Sequence, residues 1–320
     1  MDEQKDMIVN KLLDTGDKFA KFIKKINKIS LWSKIMIILL ILIAIYFFKM
    51  KKNITEGFEQ QHNLIFKEKD EIYDSFYTSI YDQLKNDTKK TEFEITTIIN
   101  NTSLNKNDNV LDIGSGTGNH VGGFKKYNID AIGLDKSKYM IDISKKKYPN
   151  CNFKLGNTIN NNLFQPHNFS LITMLNLTIY ELNDKTRVIK NCYEWLQPGG
   201  FLILHLVNPN KFNPSLKVSD PLNILEKTSL DSNDNKNTLI KFKNFTYKNI
   251  FNFINNIATF KETFKDMNNK TRVNTLQLKM EPIDEIVNIV KNEGFIQDVI
   301  VDLYKINYPD QFLFSFYKPE

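Results

Sequence analysis

Cysteine and histidine are scarce in these 320 residues, with two of the former and four of the latter. Cys151 and Cys192 stand far apart in the chain, without a CxxC or any metal-ligand spacing. That pattern fits a reducing compartment and gives no metal site, while a bond between the two is left open. His62 and His167 fall in polar stretches and make no metal constellation. The chain has no internal repeat and no basic block interleaved with aromatics beyond the N-terminal region. Its formal charge of +6, from 43 Lys and Arg against 37 Asp and Glu, is spread along its length. The electrostatic footprint of a nucleic-acid binder is therefore missing. The length allows one large domain or two modest ones.

What the chain does have begins with lysines and apolar residues. Residues 5–30 place Ile8, Val9, Leu12, Leu13, Phe19, Phe22, Ile23, Ile26 and Ile29 at helical spacing among lysines. The pattern fits a basic amphipathic helix on a membrane surface, and equally a solvated helix leading into the next segment. From Ile35 to Phe48 every residue is apolar or Tyr, and Leu31 and Trp32 extend the run. Eighteen residues at about 1.5 Å each give roughly 27 Å, close to a hydrocarbon core. Lys34 can snorkel, Trp32 and Tyr46 suit the interface, and Lys49, Lys51 and Lys52 close the segment. Residues 31–48 are therefore expected to form one transmembrane helix anchoring the chain in a lipid bilayer, with 49–70 as a polar linker. The flanking lysines barely favour either orientation.

The stretch Asn109-Val-Leu-Asp-Ile-Gly-Ser-Gly-Thr-Gly-Asn-His120 is the focus of the remainder. A short apolar run ending in glycines at alternate positions reads as a buried parallel strand and its turn, where a ligand can lie against the backbone. By itself the block also fits another nucleotide-type turn. The dinucleotide fingerprint places its third glycine three residues after the second, where this chain has Asn119. Downstream, Ala131 to Asp135 reads as a second strand ending in an acid. A carboxylate at that distance can bind both hydroxyls of a ribose. Ser137 caps a helix carrying Met140, a soft apolar side chain suited to a flat base. Cys151 to Gly156, Phe169 to Leu175 and Phe201 to Val207 read as further strands. A helix from Asp184 to Leu196 and a Gln197-Pro-Gly-Gly200 break come before the last of them. Leu239 to Tyr247, Phe251 to Phe260 and Arg272 to Met280 alternate enough to predict an antiparallel insert of about three strands within 208–280. A helix after Pro282 ends at Gly294, and strands from Ile296 to Leu303 and Gln311 to Tyr317 close the chain.

The spacing Asp-x-Gly-x-Gly-x-Gly with Asp135 beyond it resembles class I S-adenosylmethionine (SAM)-dependent methyltransferases, and the likeness covers about residues 70–320. It is most like the small-molecule group that includes ubiquinone- and menaquinone-biosynthesis-like enzymes. The resemblance implies a Rossmann-like seven-stranded sheet over 71–320, with the small β insert, behind the transmembrane helix. It implies SAM as cofactor, with Asp112, Gly114, Ser115, Gly116 and Gly118 around its methionine moiety and ribose. Asp135 would hold the ribose, Met140 and Asn157 the adenine, and Asn176 and Leu177 the amino-acid end. Asn157 stands where such enzymes usually have Asp, but its carbonyl oxygen can still accept. Tyr73, Phe76, Tyr77, Ile80 and Tyr81 share one helical stripe, which packs a core or, by the resemblance, lids the cofactor through Tyr77 and Tyr81. Tyr180 and His205 are the nameable candidates for a catalytic base, each also readable as a packing residue. His120 reads as structural.

These readings give a membrane-anchored methyltransferase acting on a small-molecule, lipid or protein acceptor. The alternative is a weak or inactive SAM-binding module tethered to a membrane. The block after the fourth strand, Asn-Leu-Thr-Ile-Tyr, lacks the proline pair of amino-methylating nucleic-acid enzymes, which argues against a nucleic-acid acceptor. Since SAM is cytosolic, the catalytic domain is expected to face the cytosol.

Overall fold

The computed structural model describes residues 64–212, 214, 224–232 and 235–320, together with scattered positions between Ser30 and Ile43. The chain divides into two compact units, 1–53 and 54–320. In the first, the described positions from Trp32 to Ile43 are helical and exposed. Among the described residues no helix is long and apolar enough to cross a membrane. The basic segment 1–29, most of the apolar run 31–48 and residues 49–63 lie outside the described residues.

The second unit holds two sheets. Its elements are β1 (Leu64–Glu68), α1 (Ser75–Lys85), α2 (Thr88–Thr102), β2 (Asn109–Ile113), α3 (Asn119–Lys126) and β3 (Asp130–Asp135). Then come α4 (Lys138–Lys147), β4 (Asn152–Leu155), β5 (Phe169–Met174), α5 (Thr178–Glu181), α6 (Lys185–Trp195) and β6 (Leu196–Val207). The insert supplies β7 (Ile224–Ser232), β8 (Asn235–Phe242), β9 (Phe245–Ile254), β10 (Ile257–Asp266) and β11 (Thr271–Lys279). The chain closes with α7 (Ile283–Asn292), β12 (Ile296–Asp302) and β13 (Gln311–Tyr317).

The larger sheet runs β12-β13-β6-β5-β2-β3-β4. Strands β6, β5, β2, β3 and β4 are mutually parallel, and β13 lies antiparallel between β6 and β12. Helices cover both faces, so successive residues of the inner strands are mostly apolar yet serve opposite sides. Val110 and Leu171 join Val121, Phe124 and Ile98 on one face. Leu111 and Ile172 join Ile189, Trp195 and Val290 on the other. Helix starts are set by side chains that satisfy otherwise unpaired backbone donors. Asp87 accepts from Lys89 N and Lys90 N, Ser137 from Met140 N, and Asp184 from Arg187 N.

The smaller sheet departs from expectation. It has six strands in the order β1-β11-β10-β9-β8-β7, five of them from the insert, where about three were expected. Two expected strands ran straight across hairpin turns. The stretch Phe251 to Phe260 contains Asn255-Asn256, both at positive φ (51° and 62°), and Ile254 pairs with Ile257 across them. Asn tolerates that backbone and suits a two-residue hairpin turn of primed type. Likewise Leu239 to Tyr247 spans the bend at 243–244 between β8 and β9. The sixth strand is β1, which lies in the expected linker and pairs parallel with β11, Leu64 opposite Thr271 through Glu68 opposite Thr275. Only Ile65 of β1 is buried, so its local pattern reads as polar.

Helix α1 lies against this second sheet. Phe76, Ile80 and Leu84 are fully buried with Ile240, Phe245 and Phe264. Arg272 on β11 fastens the arrangement: fully buried, it donates to Asp74 Oδ2 (2.7 Å), the Ile72 carbonyl (3.1 Å) and Asn274 Oδ1 (2.9 Å).

Candidate active site

The site forms where the carboxyl ends of β2 and β3 meet the entry to α1. After Ile113 the backbone turns sharply, with Gly114 N and Ser115 N both donating to the Leu134 carbonyl (2.8 and 3.1 Å). Gly116 has φ +53°, and its N–H donates to Asp135 Oδ2 at 2.9 Å. A Cβ there would meet only Tyr81, at 3.9 Å, so the backbone faces open space. Asp135 Oδ1 accepts from Ser137 N at 2.8 Å. Burial pushes the Asp135 carboxyl up despite these two bonds. The turn thus carries an acid held by backbone donors on one side of an accessible glycine.

Two groups under the turn have unmet capacity. Asp112 is buried and accepts from Thr173 Oγ1 at 2.7 Å, while its Oδ2 and the buried hydroxyl of Ser115 have no hydrogen-bond partner. Burial raises the Asp112 carboxyl. Buried polar atoms are rarely left unmatched in folded proteins, so these two point to a polar ligand. A cleft of about 480 Å³ opens here, lined by Asp112, Gly114, Ser115, Gly116, Asp135, Met140, Asn157 and Asn176 among others. A second cavity of about 310 Å³ adjoins it and is walled by Tyr77, His205, Phe212, Phe251, Phe260, Leu278 and Tyr308. Tyr73, Tyr81, Asn119, Asn176, Glu181 and Leu276 line both spaces and form the seam.

Several expected site residues sit elsewhere. Gly118 does not line the cleft: it starts α3 at φ +82°, and a Cβ would lie 2.6 Å from the Phe153 ring. It is a packing glycine. Leu177 faces the second cavity and not the cleft, because its left-handed φ of 70° turns it away. Tyr180 lines neither space. Its hydroxyl accepts from Val207 N (2.9 Å) and burial raises its pKa, so it braces β6 and offers no base. Tyr77 belongs to the second cavity, and Tyr81 alone of the two lid candidates reaches the cleft. Asn157 Oδ1 already accepts from Ile159 N at 3.1 Å, which leaves that oxygen one lone pair for a ligand.

His205 lines the second cavity, but both ring nitrogens are engaged. Nδ1 accepts from Leu177 N (3.3 Å), which makes Nε2 the donor to Gln311 Oε1 (3.1 Å). Burial, with Lys90 nearby, brings the imidazole down to about 3. An unfolded histidine, at the ordinary 6.5, takes up a proton first as pH falls. The stability that depends on this residue is therefore lost progressively between pH 6.5 and about 3. His205→Asn can still accept from Leu177 and donate to Gln311. Urea denaturation from pH 7 down to about 4 should show a flatter loss of stability in this variant than in the parent. Equal slopes would assign the acid sensitivity elsewhere.

The structure also adds contacts that the sequence did not announce, and brings in Glu181, Lys136, Asp70, Lys90 and Glu94. Tyr73 O–H donates to Glu181 Oε1 at 2.9 Å, and Lys136 pairs with Asp70 at 2.6 Å across the cleft rim. Beneath the seam, Lys90 Nζ forms an ion pair with Glu94 (2.7 Å) and donates to Asn176 Oδ1 (2.6 Å). His120 Nε2 is 2.9 Å from the other Glu94 oxygen, the structural place expected of it. Burial alone would raise Glu94, yet Lys90 and His120 together bring it down to about 2. Apart from Lys90 and Glu94, four residues apart on α2, these hydrogen-bonded partners lie 26 to 108 residues apart, so no local spacing announces them. Cys151 and Cys192 are both free, and among the described residues no group could hold a metal ion.

A sheet of this order, with an antiparallel penultimate strand and a glycine turn at the tip of an inner parallel strand, has the fold of SAM-dependent methyltransferases. Residues 110–200 match the model of a methyltransferase domain. Over 122 residues the chain is 35% identical to carboxy-S-adenosyl-L-methionine synthase of Staphylococcus epidermidis, covering 36% of this chain and 52% of that protein. Over 114 residues it is 31% identical to phosphoethanolamine N-methyltransferase of Plasmodium falciparum, covering 33% of this chain and 42% of that one. The chain thus spans about half the length of the curated relatives it matches. Among solved structures, a SAM-dependent methyltransferase from Clostridium acetobutylicum superposes with TM-score 0.58 at 17% identity, over 76% of this chain and 98% of that one. The CcbJ methyltransferase of Streptomyces caelestis gives 0.60 at 12% identity, over 76% and 96%.

Proposed function

We propose that the chain is a SAM-dependent methyltransferase acting on a small-molecule acceptor. The observation that carries this reading is the pair of unmatched buried atoms, Asp112 Oδ2 and Ser115 Oγ, beneath a glycine turn that faces an open cleft. These residues fit SAM: Asp135 offers a carboxylate to the ribose diol, Met140 an apolar wall and Asn157 an oxygen to the adenine. Asn176 closes the amino-acid end. SAM supplies an activated methyl group, so the chain's own task is to position an acceptor in the adjoining cavity and keep water out. The relative named for N-methylation of phosphoethanolamine supports a small-molecule acceptor. The finer likeness to the quinone-biosynthesis group rests on the sequence spacing alone.

The test is calorimetric titration of the chain with SAM and its demethylated product. Binding in the micromolar range is expected, and an absence of binding overturns the reading. Asp135→Ala removes the ribose acceptor and also the partner of two backbone donors, bonds to a charged group worth about 1.5–3 kcal/mol each. It should weaken SAM binding about tenfold or more. Unchanged affinity would remove the ribose from Asp135.

We further propose that residues 31–48 anchor the protein in a membrane with the methyltransferase domain on the cytosolic side. The apolar run and its lysine borders support the anchor, and the cytosolic supply of SAM supports the orientation. The full chain should stay with membranes in alkaline carbonate, and protease should reach the domain on sealed vesicles. Release by carbonate would overturn the anchor, and protection from protease would overturn the orientation.

A further inference from the structure

Two acids line the second cavity, Asp87 and Glu181. Asp87 is fully occupied, capping α2 through Lys89 N and Lys90 N and accepting from Tyr308 O–H at 2.6 Å. Glu181 is different. One oxygen accepts from the Tyr73 hydroxyl at 2.9 Å, and no lysine or arginine comes within ion-pair distance of either oxygen among the described residues. Lys136, whose charge acts on it, is ion-paired with Asp70, and Lys85 and Lys90, which also line the cavity, are paired with Glu262 and Glu94. A half-buried carboxylate with no ion-pair contact is costly unless something that enters the cavity matches it.

Its surroundings narrow what that something is. Glu181 lies on the seam, so a group beside it borders both the cleft and the cavity. Tyr73, Tyr77 and Tyr81 follow from it along one wall, each ring edge-on to the next at 5.9 and 5.8 Å. Aromatic faces beside a carboxylate favour a cation and gain little from a neutral hydroxyl. Phe251, Phe260 and Leu278 add apolar lining, with Lys85 over the Phe260 ring. A volume of about 310 Å³ suits a small molecule.

We infer that the methyl acceptor is a small amine, its ammonium held by Glu181 among the tyrosines, and that Glu181 takes the proton that must leave before nitrogen can attack. This rests on the methyltransferase reading above. The proton passes from the ammonium to the free oxygen of Glu181. The nitrogen lone pair so released forms the new N–CH3 bond while the S–CH3 bond breaks, its electron pair staying on sulfur. Glu181 then returns the proton to solvent through the open side of the cavity. Burial favours the neutral carboxyl, opposed by Lys136 and the Tyr73 hydroxyl and reinforced by Asp135 and Asp70, so Glu181 is a better proton acceptor than a free glutamate.

The experiment uses the full chain loaded with S-adenosylhomocysteine. Calorimetry compares phenethylamine, hexylamine and ethanolamine with 2-phenylethanol and hexanol, for the parent and for Glu181→Gln. A separate SAM isotherm is recorded on both proteins, and circular dichroism confirms that both fold. At least one amine should bind about tenfold or more tightly than its alcohol counterpart, and Glu181→Gln should abolish that preference. SAM affinity should be unchanged in the variant. Equal binding of amine and alcohol, no binding of any amine, or a variant that keeps the preference overturns the inference. So does a loss of SAM affinity in Glu181→Gln, which would assign the carboxylate to the cofactor's own positive charge. Failure of the parent to bind SAM would instead sink the methyltransferase reading, whatever the amines do.

Discussion

Replacing Arg272 with leucine is expected to lower unfolding free energy by about 3–5 kcal/mol, as breaking a buried charge pair commonly does. The guanidinium is fully buried and satisfies Asp74 Oδ2, the Ile72 carbonyl and Asn274 Oδ1 together. Leucine fills much of the space over the Phe76 ring, whose centroid lies 5.0 Å from the guanidinium carbon, but leaves three acceptors without a donor. Asp74 also caps α1 through Tyr77 N, so its reorientation would loosen the segment that carries Tyr73, Tyr77 and Tyr81. Acceptor binding should therefore weaken before SAM binding does. Asp74→Asn has a single oxygen and so keeps one of the two bonds that Asp74 Oδ1 and Oδ2 accept from Tyr77 N and Arg272, while Arg272 retains its other two acceptors, and it should cost less. Guanidinium denaturation of the three proteins checks the order. A leucine variant as stable as the parent would mean the arginine is merely accommodated.

The second large effect concerns Gly116. Gly116→Val should reduce SAM affinity roughly tenfold to a hundredfold through overpacking of about 1–3 kcal/mol, because its side chain projects into the cleft. The positive φ adds a strain of about 1–2 kcal/mol to the folded state, which a domain of this size can absorb. Gly118→Val is the contrasting control. There a Cβ would sit 2.6 Å from the Phe153 ring, and loss of fold is expected along with loss of binding. Melting curves and calorimetry on both variants separate a ligand-facing glycine from a packing one. Normal SAM binding by Gly116→Val would remove the cofactor from this turn.

The two glycines illustrate what the sequence could convey. Their alternate spacing after Val110-Leu111-Asp112-Ile113 marks a strand and a tight turn, because buried parallel strands are continuous apolar runs and glycine is needed where they bend. Strands β2, β3, β5 and β6 were legible for that reason, whereas β4, Asn-Phe-Lys-Leu at the sheet edge, follows from the alternation of elements around it. The spacing does not say which glycine faces a ligand, since this depends on Phe153 and Tyr81 from distant elements. The insert was less legible. Its strands bury one face, and Asn255-Asn256 looks like two more polar positions in an alternating run until the backbone is seen to reverse there. Strand β1 was not legible at all: a single buried residue, Ile65, gives no period, and its partner lies more than two hundred residues away. Glu181 was passed over for a related reason. A carboxylate at the end of a one-turn helix looks ordinary until Tyr73 and Lys136 are placed around it.

The pairing of β1 with β11 and the clasp of Arg272 on Ile72 and Asp74 join the beginning of this unit to a point near its end. During synthesis the glycine turn and its sheet neighbours β2, β3, β4 and β5 are complete well before Arg272 leaves the ribosome. Closing a loop of some two hundred residues costs only slowly increasing entropy, but contacts of such separation form late. A nascent chain can therefore carry the glycine turn while the second cavity still lacks Phe251, Phe260 and Leu278 and the tyrosine row is unfastened. The second cavity closes later still, once Tyr308 and Gln311 beyond β11 have been made.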